Sequence, residues 1–355
     1  VQDHADNTVI RKPARPGREA APVVLLQGHL DMVCEKNEGT PHNFDTDPIQ
    51  VRRDGDWLKA EGTTLGADNG VGVAAALAVM ESSDLAHGPL EFVFTIDEES
   101  GLTGAAEFPG GLLRSQYFLN LDNEEKDTIC IGCAGGIKTT ARRKVSFRSA
   151  KGDSGWRIKV LGLKGGHSGV DIHMGRGNAL RILGATLQRL LESLPVEVAN
   201  LTGGSAQNAI PREASAIIAV NAAKEQELKS LVSQVQEEQK SDLGAFDPDL
   251  QITAQKVEKP KDVLDADDAQ RAIDLLATLH HGILAMSSDV PGLVQDSTNL
   301  ATVATKDGMI EIVTSQRSAI ESSKQAVARI VATVCRMAGF ETEYTGSYPG
   351  WKPEP

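Results

Sequence analysis

Cysteine is scarce in this chain, which has four cysteines among its 355 residues. They are too few and too unevenly spaced for the disulfide framework of a small secreted protein, and a chain this long can bury enough core without one. Cys130 and Cys133 form a C-x-x-C pair, but a structural zinc site needs a second pair or histidines at fixed spacing, and none follows. The cysteines therefore indicate a reducing, cytoplasmic setting.

Positive charge and long apolar runs are also lacking. The chain has 36 lysines and arginines against 49 acidic residues, for a net charge of −13. Nucleic acids and anionic membranes bind basic surfaces. No apolar run approaches the roughly 20 residues of a membrane span, and no charged start followed by an apolar core marks a signal peptide. We therefore expect no nucleic-acid or membrane partner, whereas divalent cations suit such an acidic chain.

The first part of the chain alternates apolar strands with a helix. Val23–Leu26 and Leu90–Phe94 are continuously or nearly continuously apolar, and Tyr117–Leu121 is a shorter mixed run. Between the first two lies the apolar helical segment Val71–Met80. Strands buried on both faces and joined through helices are typical of parallel sheets. The pattern predicts an α/β fold with a mostly parallel sheet.

From about Gly136 the pattern changes to alternating strands and amphipathic helices. The segment Asn178–Leu194 carries a leucine stripe at helical spacing and stops before Pro195. A similar order of strands and helices then returns, with a helix predicted over Asp267–Leu284 that would carry His280 and His281 as a surface pair. We predict two α+β lobes, each an antiparallel sheet with helices on one face.

A histidine and several carboxylates follow the strands or precede the helix of the first part. Ligand sites on open parallel sheets form at these positions. Each cluster also has a simpler interpretation: the strand reaching water, an aspartate helix cap, or a solvated acidic turn. The residues are His29 and Asp31 in QGHLDM, Asp68 in GADNG, Glu98 and Glu99 in DEESG, and Asp122 in NLDNEE.

Together these side chains form a ligand set of oxygen and nitrogen atoms without thiolate. Such a set suits zinc, manganese or cobalt, and it has enough carboxylates to bridge two ions. Adjacent residues of an extended chain point to opposite sides, so Glu98 and Glu99 are placed for different tasks. One could bind a metal while the other transfers a proton.

Several spaced motifs resemble the M20 metallopeptidases, in particular their bacterial aminoacyl-histidine dipeptidase branch: GHLDMV, GTTLGADNGVG, TIDEESG, NLDNEE, CAGG, GLKGGHSG, NAIPREA and YPGW. The resemblance covers essentially the whole chain. It implies a zinc-peptidase-like, mostly parallel α/β sheet domain with an inserted two-lobed α+β lid domain. On this basis we expect a metal-binding catalytic part at 1–136, the lid at 137–345, and the start of the return to the catalytic domain at 346–355.

Carried over residue by residue, the resemblance gives a dinuclear metal site. His29 would be a metal ligand and Asp31 the residue that orients it. Asp68 would bridge both ions, Glu99 would bind one ion, and Asp122 would join His29 on the other. The resemblance implies two divalent ions. Zinc is the expected metal, with cobalt and manganese as alternatives.

The remaining residues would act on the substrate. Glu98 would be the general base that takes a proton from the metal-bridging water and passes it to the leaving amine. His167 in GGHSG matches a lid histidine that helps to hold the scissile carbonyl oxygen. Asn208 and Arg317 match lid positions that would bind the substrate carboxylate, although Arg317 could equally be a surface residue of a strand.

The implied activity is hydrolysis of dipeptides with a free amino terminus, of the Xaa-His type, and the implied partners are a small peptide substrate and a second copy in a homodimer. A deacylase of the same fold and a non-catalytic scaffold are the alternatives. The chain begins at Val1 and ends soon after YPGW. We therefore expect both ends to be truncated and a late histidine ligand of the family to be missing.

Overall fold

The computed structural model describes residues 1–37, 39–123 and 127–353. The chain forms two compact units: unit 1, Val1–Cys130, and unit 2, Ile131–Pro355. The division falls before the expected boundary at 136, because a strand that begins at Gly135 already belongs to the sheet of unit 2. Residues 346–348 also lie in a strand of that sheet. The last two residues of the range 346–355 lie outside the described residues, as does the EE pair of NLDNEE.

Unit 1 is built around a sheet in the order β1-β5-β2-β6. In it β2 pairs in parallel with β5 and β6, while β1 pairs antiparallel with β5, so the predicted mostly parallel sheet is confirmed. β3 and β4 form a separate antiparallel pair. The strands are β1 (Thr8–Lys12), β2 (Val24–His29), β3 (Val51–Asp54), β4 (Trp57–Ala60), β5 (Leu90–Thr95) and β6 (Tyr117–Asn120), and the helices are α1 (Ala67–Glu81), α2 (Glu98–Gly101) and α3 (Thr103–Ala106).

Strand β5 is the centre of the unit 1 core, and every one of its residues is buried. Successive side chains of a strand point to opposite faces. Phe92 therefore packs with Ala76 of α1 on one face, while Val93 packs with Val9 and Leu25 on the other. Burial on both faces explains the nearly continuous apolar run of this strand.

Unit 2 contains a larger antiparallel sheet in the order β14-β9-β13-β11-β17-β18-β7-β19, with β16 paired to β17. The pairs β10–β12 and β8–β15 lie outside this sheet. The strands are β7 (Gly135–Lys144), β8 (Phe147–Ser149), β9 (Ser154–Leu161), β10 (Gly166–His167), β11 (Glu197–Gly203), β12 (Ala209–Ile210), β13 (Ala214–Val220), β14 (Gln251–Val257), β15 (Asp262–Leu264), β16 (Gly282–Met286), β17 (Val294–Lys306), β18 (Met309–Ser318) and β19 (Glu341–Tyr348).

The helices of unit 2 pack on this sheet and share one hydrophobic core with it. The leucine stripe predicted for the first of them is buried there. Within the described part of the chain, none of the helices is at once long enough and apolar enough to cross a membrane. The helices are α4 (Ala179–Ser193), α5 (Glu225–Leu243), α6 (Ala266–Thr278) and α7 (Glu321–Met337), with a 3₁₀ turn at Ala222–Lys224.

The two predicted lobes share a single sheet. The strands of the first lobe meet those of the second where β11 pairs with β17. In this pairing Thr202 lies opposite Ala304, and Gly203 lies opposite Val303. The sheet then continues through β18 into β7 and β19, two strands that the apolar pattern did not predict. Both carry many charged and polar residues, and β19 lies at the edge of the sheet, where one side of a strand remains open to water.

The prediction of a helix over Asp267–Leu284 was wrong over its last six residues. Helix α6 ends at Thr278, and Gly282–Met286 forms strand β16. The apolar residues of this segment fit a helical stripe as well as a strand, and pairing with β17 decides in favour of the strand. His280 and His281 therefore follow the helix rather than lie on it, and burial lowers the pKa of His281 to about 4.

Candidate active site

The polar residues of unit 1 gather at the carboxyl ends of its parallel strands. β2 ends at His29, β5 is followed by Glu98, and β6 is followed by Asp122. The backbone N–H of Leu30 donates to the carbonyl of Thr95 at 2.8 Å, which keeps the chain after β2 beside the end of β5. Parallel strands thus bring residues that are distant in sequence to one edge of the sheet.

His29 is the centre of this group and only 1% exposed. Its Nδ1 lies 3.0 Å from the backbone carbonyl oxygen of Asp31 and 3.4 Å from the carboxylate of the same residue. Both are acceptors, so Nδ1 is placed to donate its ring proton to Asp31. Nε2 also faces carboxylates, 3.0 Å from Oδ1 of Asp68 and 3.6 Å from Oδ1 of Asp122, a position in which it would bind a metal through its lone pair. Histidines that bind metals are commonly oriented in this way by an acceptor on the other ring nitrogen.

Asp68 lies in the first turn of α1 but does not cap the helix. The N-cap residue is Gly66, without a side-chain hydrogen bond, and the backbone of Asp68 is not helical, with φ −85° and ψ 112°. Its neighbour Asn69 is buried and donates through Nδ2 to the carbonyl of Leu121 at 2.9 Å. Gly28 leaves the space that the amide of Asn69 fills, because a Cβ at position 28 would collide with Oδ1.

Asn69 is therefore a positioning residue that the sequence analysis missed. It ties the start of α1 to the chain that follows β6, the two segments that carry Asp68 and Asp122. The signal lay in the motif GADNG, where a polar residue next to the proposed ligand opens an otherwise apolar helix. Only the structure reveals its partners, because they come from other strands.

Asp31 holds the two glutamates that follow β5. Its carboxylate accepts hydrogen bonds from the backbone N–H groups of Glu98 and Glu99, each at 3.0 Å. Burial alone would raise the pKa of Asp31, but these backbone donors hold the pKa of its carboxyl below the usual value. Asp31 thus contacts His29 on one side and fixes the first turn of α2 on the other.

The described residues give two groups whose ligand atoms lie within 4.8 Å of one another: His29 with Glu98 and Glu99, and His29 with Asp68 and Asp122. One imidazole and several carboxylates make a donor set that suits zinc, manganese or cobalt. Burial and the nearby carboxylate of Asp68 raise the pKa of Asp122 to about 7. Carboxylates that repel one another in this way are stabilised by a cation, so the residues present fit a divalent metal.

Glu98 shares a raised pKa with Glu99 and Asp122. Burial raises the pKa of Glu98, and the charges of Glu99 and Asp68 raise it further, while His29 opposes the shift. Burial also raises the pKa of Glu99. A carboxylate with a raised pKa is better suited to accept and release a proton near neutral pH than an ordinary glutamate.

Unit 2 brings together the other residues predicted for the site. Strand β10 pairs with β12, and the backbone N–H of Ser168 donates to the carbonyl of Asn208 at 2.7 Å, so Asn208 lies beside the loop of His167. His167 and Arg317 both border Gly169: a Cβ there would lie 3.2 Å from Cε1 of His167 and 3.4 Å from Cζ of Arg317.

The tautomer of His167 follows from its hydrogen bond. The backbone N–H of Val170 donates to Nδ1 of His167 at 3.2 Å, which assigns the ring proton to Nε2. Burial lowers the pKa of His167, and the positive charge of Arg317 lowers it further. A neutral imidazole with a proton on Nε2 can donate a hydrogen bond to a carbonyl oxygen, the role expected for this residue.

Two family models match the chain: "Peptidase family M28" over residues 8–150 and "Peptidase dimerisation domain" of the M20 peptidases over residues 158–246. Over 354 residues, the chain is 42% identical to the cytosol non-specific dipeptidase of Escherichia coli (strain K12), covering 99% of this chain and 73% of that protein. The crystal structure of aminoacylhistidine dipeptidase from Vibrio alginolyticus matches with 40% identity and a TM-score of 0.84, over 100% of this chain and 72% of that one.

The mostly parallel sheet with acidic residues and a histidine at its strand ends, together with these matches, defines a metallopeptidase. The chain belongs to the M20 metallopeptidases, in the group that contains cytosol non-specific dipeptidase and aminoacylhistidine dipeptidase.

Proposed function

We propose that the protein hydrolyses the peptide bond of dipeptides with a free amino terminus, including Xaa-His dipeptides, in a reaction that requires divalent metal ions. The observation that carries this proposal is the group of His29, Asp68 and Asp122, with Glu98 close to the same histidine. The names of the two relatives, one a non-specific dipeptidase and the other an aminoacylhistidine dipeptidase, support the choice of substrate.

The proposed metal ligands divide between two ions. His29, Asp68 and Asp122 would hold one ion, and Glu99 would hold the other together with Asp68, which would be a ligand of both. Zinc is the proposed metal, with cobalt or manganese as substitutes, because each accepts imidazole and carboxylate ligands. When bound, such ions lower the pKa of water and polarise a carbonyl group.

Glu98 is the proposed general base. Its carboxylate would take a proton from the attacking water and deliver it to the nitrogen of the leaving amine. The position of Glu98 supports this role, since its carboxylate lies within 4.8 Å of the ligand atoms of His29 and Glu99. Asp31 would keep the carboxylate in place, because it binds the backbone N–H groups of Glu98 and Glu99.

The proposed substrate contacts come from unit 2. His167 would donate its Nε2 proton to the scissile carbonyl oxygen, where negative charge develops in the transition state. Arg317 would bind the carboxylate of the substrate with two parallel hydrogen bonds, and Asn208 would assist. Burial of the guanidinium Nε without a hydrogen-bond partner among the described residues supports this role for Arg317.

We assign the chemistry to residues 1–136 and a lid function to residues 137–345, and we propose a cytoplasmic homodimer. The match of residues 158–246 to a peptidase dimerisation domain supports self-association through unit 2. The cysteine content and the printed name of the Escherichia coli relative support the cytoplasm. Sedimentation of the purified protein as a monomer at micromolar concentration would contradict the dimer.

A substrate panel tests the proposed function. The purified protein is loaded with zinc, cobalt or manganese and assayed on Ala-His, on other unblocked dipeptides, and on the N-acetylated form of each. We expect cleavage of the unblocked dipeptides, loss of activity with a chelator, and recovery when metal is restored. Cleavage of the N-acetylated substrates alone would make the protein a deacylase and refute the dipeptidase proposal.

Replacing Asp31 with alanine is expected to weaken both metal binding and turnover without abolishing the site. Removing a residue that orients a metal ligand commonly costs about 10–100-fold in affinity or activity. Here the change also frees the backbone N–H groups of Glu98 and Glu99. The measurements are a zinc titration and kcat for Ala-His. Asp31→Asn, which keeps the shape but replaces one acceptor with a donor, should fall between alanine and the parent; unchanged values in both variants would rule out the positioning role.

A further inference from the structure

Arg317 is held on one side by a tyrosine from a different strand. Nη1 of Arg317, on β18, donates to the phenol oxygen of Tyr348, at the end of β19, at 3.0 Å. Strand β7 lies between these two strands in the sheet, so the contact reaches across it. The guanidinium Nε is buried and has no hydrogen-bond partner among the described residues. The Nη1 end of the guanidinium is therefore anchored by Tyr348, while its Nε has an unused donor.

Tyr348 is itself fixed from two directions. Its ring lies directly over Gly136 of β7, where a Cβ would come within 2.6–2.7 Å of three ring and hydroxyl atoms. The backbone carbonyl of Tyr348 accepts a hydrogen bond from Nζ of Lys324, a lysine that is only 1% exposed. Lys324 also pairs with the carboxylate of Glu321 at 2.9 Å. A lysine buried to this degree needs such partners, and it ties α7 to the end of β19.

A further set of hydrogen bonds joins the CAGG motif to the YPGW motif. Cys133 and Trp351 exchange backbone hydrogen bonds of 2.9 and 2.8 Å, and the indole N–H of Trp351 donates to the carbonyl of Ile131 at 2.9 Å. The start of β7 and the end of β19 are thereby joined next to Tyr348. Neither motif has another role in the proposed reaction.

We propose that Tyr348 is a positioning residue that fixes the Arg317 guanidinium for the carboxylate at the C-terminal end of a dipeptide. This inference rests on the proposed role of Arg317 in binding that carboxylate. An arginine side chain has several rotatable bonds, and a guanidinium held in one orientation loses less conformational freedom when it forms a two-pronged pair. The junction of CAGG and YPGW thus contributes to substrate affinity although it does not touch the substrate.

The test compares Ala-His with its C-terminal amide, which lacks the carboxylate. Binding of each is measured by calorimetry in the presence of a chelator, so that hydrolysis does not enter. In Tyr348→Phe we expect about tenfold weaker binding of Ala-His, from loss of one hydrogen bond to a charged group, and unchanged binding of the amide. With metal restored, KM for Ala-His should rise by a similar factor while kcat changes little. Tyr344→Phe is the matched control, because its hydroxyl, on the same strand, makes a long hydrogen bond of 3.4 Å to the carbonyl of Ala328.

A double-mutant cycle separates positioning from general damage. In an Arg317→Lys background, Tyr348→Phe should have no further effect on Ala-His binding. Lysine has a single ammonium group and no planar guanidinium whose orientation Tyr348 could fix. The proposal would be overturned by equal losses for Ala-His and its amide, by additive effects in the cycle, or by a parent protein that does not bind Ala-His more tightly than the amide. If the parent binds Ala-His in this way but does not hydrolyse it, the proposed function fails while the role of Tyr348 stands.

Discussion

Glu98→Gln is expected to lower kcat for dipeptide hydrolysis by roughly 10²–10⁴-fold, the usual contribution of a general base. Glutamine preserves the size of the side chain but cannot accept the proton of the attacking water. The bound metal should remain nearly unchanged, because the proposed ligands are His29, Asp68, Glu99 and Asp122. Zinc content per chain and kcat for Ala-His, measured on the same preparation, provide both values.

Glu99→Gln, at the adjacent residue, distinguishes loss of a metal ligand from loss of the general base. Glu99→Gln should lose metal first and activity as a consequence, so that excess zinc restores part of the rate. Excess zinc should restore nothing in Glu98→Gln. Glu81→Gln, at the exposed end of α1, is a control for loss of negative charge in unit 1 and should behave as the parent. If Glu98→Gln lost its metal while Glu99→Gln kept it, the two roles would have to be exchanged.

The apolar runs predicted the centre of unit 1 well because these strands are buried on both faces. For β5, burial of every residue requires an apolar sequence, so the pattern is strong, whereas α1 is apolar although only Asn69, Gly72 and Ala76 of it are buried. In contrast, β7 and β19 consist largely of polar and charged residues, and their pairing is set by neighbours that are distant in sequence. A strand that is stabilised mainly by its partners leaves little local signal.

For the site, the sequence predicted the types of residue and their positions at strand ends, but not the contacts that orient them. The proximity of His29, Asp68 and Asp122 could be expected because parallel strands end at the same edge of a sheet. Asn69 and Tyr348 could not be found in this way, since each depends on a glycine in another strand that leaves space for its side chain. The metal ligands and the role of Glu98 remain predictions.

Replacing His29 with alanine is expected to have the largest effect on metal binding. His29 belongs to both groups of ligand atoms, and its Nε2 lies 3.0 Å from Oδ1 of Asp68 and 3.6 Å from Oδ1 of Asp122. Since loss of a residue that only orients a ligand costs about 10–100-fold, loss of this ligand should weaken zinc binding by more than about 100-fold. Hydrolysis of Ala-His should become undetectable at micromolar zinc.

Calorimetric titration of the metal-free protein with zinc resolves which ion each ligand holds. We expect two steps of unequal affinity in the parent, because His29, Asp68 and Asp122 would supply three ligands to one ion, whereas Glu99 would share Asp68 at the other. The tighter step should disappear in His29→Ala, and the weaker step should disappear in Glu99→Ala.

Two further variants test the assignment of the tighter zinc step to the group of His29. Asp122→Ala should also remove the tighter step, and it tests the same ligand group without opening a cavity at the buried histidine. His4→Ala removes an exposed histidine of the same unit and should leave both steps intact. If the tighter step survived in both His29→Ala and Asp122→Ala, another part of the chain would hold that ion, and the proposed ligand set would be wrong.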